Sequence, residues 1–121
     1  MPDTPEPGTP SVPEVRTRLR DAARMLRESA SLGPDVRSAL AEFMDELGRA
    51  LEAPEAPPAE LARLAEGTAH LAESLHHGHD RRLVATARER LEALALQAEA
   101  RAPTAVGLAR RLVDALAGAG I

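Results

Sequence analysis

The side chains best suited to chemistry in this chain crowd into His76-His77-Gly78-His79-Asp80, with His70 a short way upstream. On a continuous helix His76, His79 and Asp80 fall at i, i+3 and i+4, so imidazole nitrogens and a carboxylate share one face. That donor set suits zinc or another divalent cation. A sound zinc site also needs a fourth ligand and partners that orient the ligands from behind. The competing reading is a solvated, polar helix break in which histidine is simply tolerated. Zinc calorimetry on the chain and on a His76→Ala/His79→Ala variant separates the two, and equal heats end the metal reading.

Other polar groups promise less. Arg16, Arg20, Arg24 and Arg27 line one helical face and could track phosphates. No aromatic residue accompanies them for base stacking, and an acidic neighbouring helix gives them a simpler use. Glu42 and Glu46 share a face as two catalytic carboxylates would, but nothing nearby promises the dry pocket that shifts a carboxyl pKa. The chain has no Cys, Trp, Tyr or Lys, and its serines lie mostly at caps and turns. Nucleophile and base arrangements therefore have little to draw on. The expectation is a non-enzyme with no catalytic or cofactor-binding residue and no cofactor; Met25, Met44 and Phe43 read as core.

Composition limits the partners. A net charge of −4 is too mild to argue for nucleic acid or an anionic membrane. No stretch reaches the apolar length of a membrane span, and the acidic, Pro-rich N-terminus does not resemble a signal peptide. The expected location is the cytoplasm. The exclusive use of Arg over Lys, beside abundant Ala, Pro and Gly, reads as coding bias rather than selection for bidentate recognition. Leu and Ala supply most apolar positions and Phe43 is the one aromatic. Alanine favours helix but removes little area from water, so self-association is a natural remedy for a thin core.

The elements that must position these residues are helical throughout, giving an all-α fold. Residues 1–10 form a disordered Pro-rich acidic tail. Ser11 and Glu14 have the spacing of a capping box. Val15, Leu19, Ala22, Ala23, Leu26 and Ala30 then make one stripe. Gly33-Pro34-Asp35 turns the chain into a second stripe, Val36, Leu40, Phe43, Met44, Leu47 and Leu51. Residues 11–52 read as an antiparallel helical hairpin with core Val15, Leu19, Leu26, Val36, Leu40, Phe43, Leu47 and Leu51. The first helix is net positive and the second net negative, which biases their pairing. A stiff Pro-rich linker, 53–58, ends the hairpin.

Residues 59–121 read as a long helical region, kinked or broken at a joint near 76–80, with a short last helix over 104–118. Leu61, Leu64, Thr68, Leu71 and Leu75 form one seam and Val84, Ala87, Leu91, Leu94 and Ala98 another. Strict heptads would carry the first seam onto Arg82 and Glu89, so the two are out of register. Either the helix is continuous with a stutter or it breaks; Gly78 as terminator and Asp80 as N-cap favour the break. Leu61, Leu64, Leu71, Leu75, Val84, Leu91 and Leu94 form a coiled-coil-like interaction seam that packs against the hairpin or against a second copy.

The end of the chain carries a resemblance. Pro103-Thr104, then Leu112-Val113-Asp114-Ala115-Leu116-Ala117, then Gly120-Ile121, after a hairpin with the loop Leu32-Gly33-Pro34-Asp35, resembles a family of short bacterial helical proteins known as domain of unknown function number 4404. That family typically has a His-Pro pair before its last helix and closes on Asn-Met-Gly-Ile. Here Ala102 stands for the His and Ala119 for the Met. The likeness covers 12–52 loosely and 84–121 better, with roughly 59–82 an addition. It implies a helical fold and no activity, since the family has none assigned.

Two functions follow from these readings. One is a non-enzymatic protein-protein interaction or self-association module, its partner a second copy or another helical protein, with no nucleic acid, membrane or small-molecule substrate. The alternative is a metal-responsive binding protein ordered by an ion at His76, His79 and Asp80.

Overall fold

A computed structural model describes residues 11–29, 32–52, 57–77 and 81–120. The expected N-terminal tail, Ala30, most of the Pro-rich linker, His79 and Asp80 of the joint, and Ile121 lie outside these residues. The described residues are all-helical: α1 (Val12–Glu28), α2 (Pro34–Leu51), α3 (Ala59–His77), α4 (Arg81–Ala98) and α5 (Pro103–Gly118). Prolines in the first turns of α1, α2 and α5 start those helices at little cost, because the N–H they lack would have no helical partner there. None of the described helices is long and apolar enough to cross a membrane.

Some details depart from the sequence reading. Ser11 sits at the N-cap of α1, but its side chain makes no capping bond, so the capping box is not formed; only its carbonyl is used, accepting from Val15 N at 3.0 Å. The last helix, at 16 residues, is nearly as long as α1 at 17. The favoured reading of 59–102 as two helical stretches is not among the departures: α3 ends at His77 and α4 begins at Arg81. Glu66 lies against Arg90 at 3.6 Å, and Leu94 sits where a Cβ at Gly67 would be, so α4 packs directly on α3.

The helices close a ring in which α1 touches α3, α3 touches α4, α4 touches α5, α5 touches α2 and α2 returns to α1. α2 also reaches α3 across the ring. α1 lies more extensively on α3 than on α2, its neighbour in sequence. All of the expected hairpin-core residues are buried, with Leu40, Phe43 and Leu47 fully enclosed, while Met25 is half-buried. Burying a Leu, Val or Phe side chain contributes roughly 1.5 to 3 kcal/mol before entropy is charged against it.

α3 is the centre of this arrangement. Of its nineteen residues only His70 and His77 are exposed. Ala62, Ala65, Gly67, Ala69 and Ala72 keep its surface low on several sides, which lets neighbours approach closely. A Cβ at position 67 would lie 2.6 Å from Cδ1 of Leu94, so α4 fills the space that glycine leaves. Thr68 is fully buried and donates its hydroxyl to the Leu64 carbonyl at 2.8 Å, which satisfies the group without breaking the helix.

Ion pairs follow the ring. Arg16 meets Glu52 (3.1 Å) between α1 and the end of α2, Arg18 meets Glu73 (2.9 Å) between α1 and α3, and Arg90 meets Glu66 between α4 and α3. Arg110 of α5 meets Glu99 just beyond α4 at 2.9 Å, and Arg111 of α5 meets Glu42 of α2. Each neighbouring pair in the ring thus carries one. Exposed pairs of this kind are worth about 0.2 to 1 kcal/mol apiece, so they select which helices neighbour each other more than they hold them.

Candidate functional site

His76, His79 and Asp80 are the residues that a metal site would use, with a solvated helix break as the competing reading. Of these only His76 is described, and its Nδ1 is already engaged, 2.6 Å from Oγ of Ser29 at the end of α1. The same Ser29 hydroxyl lies 2.9 Å from the Met25 carbonyl. The hydroxyl has one proton. It can donate to Met25 while accepting from His76 only if Nδ1 carries a hydrogen, so Nδ1 is the donor of this pair. Arg37, in the first turns of α2, donates Nη2 to the Ser29 carbonyl. Among the described residues no group of three or more His, Asp or Glu could hold a metal.

This polar joint ties the ends of α1 and α3 to the start of α2. A Ser–His pair at hydrogen-bond distance is also the core of a nucleophile–base arrangement. Here the serine is only 5% exposed, its hydroxyl serves the last turn of α1, and it lines neither of the surface grooves at α1/α2 and α4/α5. The geometry is that of a helix terminus satisfied by side chains. Nothing in the sequence pattern pairs Ser29 with His76, which lie 47 positions apart.

Nearby, Arg18 Nε and Nη2 donate to the two Glu73 carboxylate oxygens at 3.1 and 2.9 Å. These hydrogen bonds hold the Glu73 carboxyl below its usual range, against partial burial that pushes it up, with the charge of Arg18 as the next contribution. The same hydrogen bonds raise Arg18. Arg18 therefore acts as a strut between α1 and α3.

The remaining Arg stripe, Arg16, Arg20, Arg24 and Arg27, does not form a uniform basic track, because Arg16 is committed to Glu52. Arg16 and Arg20 line a groove of about 400 Å³ between α1 and α2 with Leu19, Ala23, Met44 and Gly48 as its apolar part. Of Glu42 and Glu46, the first is exposed and paired with Arg111 and the second is half-buried.

The expected interaction seam is closed within the chain. Leu61, Leu64, Leu71, Leu75, Val84, Leu91 and Leu94 are all buried, none above 9% exposed. They pack into one cluster with the α1, α2 and α5 stripes, so they form core and offer no free docking face. The physical reason is the packing of α4 on α3 and of both on the other helices, which covers the two seams.

What remains outside is different. Leu83 and Leu96 of α4 are 61% and 68% exposed, the large apolar side chains left in water among the described residues. Leu96 lines a groove of about 660 Å³ between α4 and α5, with Leu91, Ala95, Ala109 and Val113. Its rim carries Glu89, Glu92 and Asp114 against one Arg110. Sequence reasoning passed over Leu83 and Leu96, although both fall off the Val84, Ala87, Leu91, Leu94, Ala98 stripe, and that misfit was the available signal.

No protein-family model, curated protein or solved structure matches this chain. Its function must be argued from its own surface and core.

Proposed function

We propose that the chain is a non-enzymatic helical protein-protein interaction module that docks a helix of its partner along the α4/α5 face. The observation that carries this reading is Leu96, 68% exposed beside an apolar groove whose other leucine, Leu91, is buried. Grooves between antiparallel helices receive a further amphipathic helix by laying its apolar stripe between the two. In this proposal α1 and α2 form a helical hairpin, α3 and α4 a broken helical region, and the resemblance of the chain's end to domain of unknown function number 4404 reflects common descent of a scaffold without catalytic residues. The use of Ser29 and His76 in joining helix ends supports a structural role for the polar cluster.

The test has two arms. Mass is measured by light scattering over a concentration series for the chain and for Leu96→Glu, and a photocrosslinking residue is placed at position 96 and, as a control, at position 24. Mass that grows with concentration and collapses in Leu96→Glu, or a single identified helical partner crosslinked from 96 and not from 24, supports the module. Constant monomer mass together with no protein adduct from position 96 overturns it.

A further inference from the structure

The α4/α5 groove also states what kind of helix it prefers. This preference rests on the interaction-module reading above and adds the chemistry of the partner.

Small residues shape the floor. Ala95 and Ala109 are nearly fully buried there, and Ala93 lines the same groove, so their short side chains leave room for a leucine-sized group between Leu96 on α4 and Val113 on α5. The lined length of α4, Glu89 to Leu96, spans about 10 Å at 1.5 Å per residue. That is two helical turns, enough for apolar residues at i, i+3 or i+4, and i+7 of an incoming helix.

The rim selects by charge. Arg110 directs its guanidinium to Glu99 at 2.9 Å, and Glu92 has only a distant partner in Arg88 at 3.9 Å. Glu89 and Asp114 make no ion pair among the described residues. Two carboxylates without countercharge and a third weakly matched therefore flank an apolar floor. A second copy presenting this same face would set acid against acid, and the whole chain is net negative at −4. We infer that the α4/α5 groove binds a cationic amphipathic helix, its apolar stripe on Leu96, Ala95, Ala109 and Val113 and its Arg or Lys residues against Glu89, Glu92 and Asp114.

The experiment uses the full chain and two synthetic 18-residue helical peptides with an identical leucine stripe, one flanked by Arg and the other by Glu. Binding is read by fluorescence anisotropy at low and at physiological salt, with circular dichroism confirming that each protein variant keeps its helicity. The expected result is binding of the Arg peptide at least tenfold tighter than the Glu peptide, weakening with salt. Glu89→Lys/Asp114→Lys should erase or reverse that preference, and Leu96→Glu should weaken the Arg peptide about tenfold or more. All three positions are exposed, so these changes do not disturb the core. Equal affinity for the two peptides, or a preference untouched by the Glu89/Asp114 reversal, overturns the charge selection while leaving a docking groove in place. Failure of both peptides to bind overturns the inference, and the light-scattering and crosslinking arms above then decide separately whether the module reading falls with it.

Discussion

The α1/α2 pair and the α3/α4 pair are each neighbours in sequence and in space, and they pack in opposite ways. Against α1, α2 presents large side chains such as Met44, and a groove runs between the two helices with Gly48 open beside it. α3 and α4 press together over alanines and Gly67, and Leu94 occupies the space of the missing side chain. Bulk holds the first pair apart and its absence draws the second pair together. Glycine consequently has two meanings in one fold: at 67 it permits an approach, while at 48 it only gives up helix propensity.

The comparison can be broken from either side. The largest effect should come from Phe43→Ala in α2, where a fully buried aromatic is removed from the bulky side; a loss of about 3 to 5 kcal/mol is expected from denaturant unfolding. On the close side, Gly67→Val should cost about 1 to 3 kcal/mol, because one rotation of Leu94 can clear a single methyl but not a branched side chain. Thermal melts of Gly67→Val indistinguishable from the parent would mean that the α3/α4 approach is not limiting.

Gly48→Ala should move the other way, gaining about 0.5 to 1 kcal/mol, since nothing lies within 4 Å of a Cβ there. If both glycine substitutions shift the melting temperature with the same sign and size, the contrast between the pairs collapses. The smallest effect is electrostatic. Because Arg18 lowers the folded-state pKa of Glu73, its contribution is complete above the ordinary carboxylate value of about 4.3 and fades as pH falls through the depressed folded value. Both side chains are partly exposed, 37% and 27%, so screening keeps this to about 1 kcal/mol or less. The stability gap between the parent and Glu73→Gln should therefore narrow on acidification from pH 7, and a gap that widens would contradict the assignment.

Much of the helical plan was legible because stripes at three- and four-residue spacing survive folding unchanged. Val15, Leu19, Leu26, Val36, Leu40, Phe43, Leu47 and Leu51 are buried as their periodicity requires. Which stripe meets which was not legible. Arg18 finds Glu73 and Ser29 finds His76 through the three-dimensional path of α3, and no local rule encodes separations of 55 and 47 residues. The Ser11–Glu14 spacing misled because a capping box is a tendency of side-chain rotamers, and here Glu14 stays in solvent. The long seam left its cover open for another reason: an apolar stripe records that something covers it and carries no mark of whether that cover is the same chain.

The enclosure of α3 has a kinetic consequence. Helices at the edge of the ring can fray into water while the rest stays folded, but the amide hydrogens along Leu61 to Leu75 are shielded by α1, α2 and α4 at once. They should be the last to exchange with deuterium, and at a rate set by opening of the entire molecule. The middle of α3 is then a built-in gauge: any ligand that stabilises the fold, wherever it binds, will slow deuterium uptake there by the factor by which it suppresses complete unfolding.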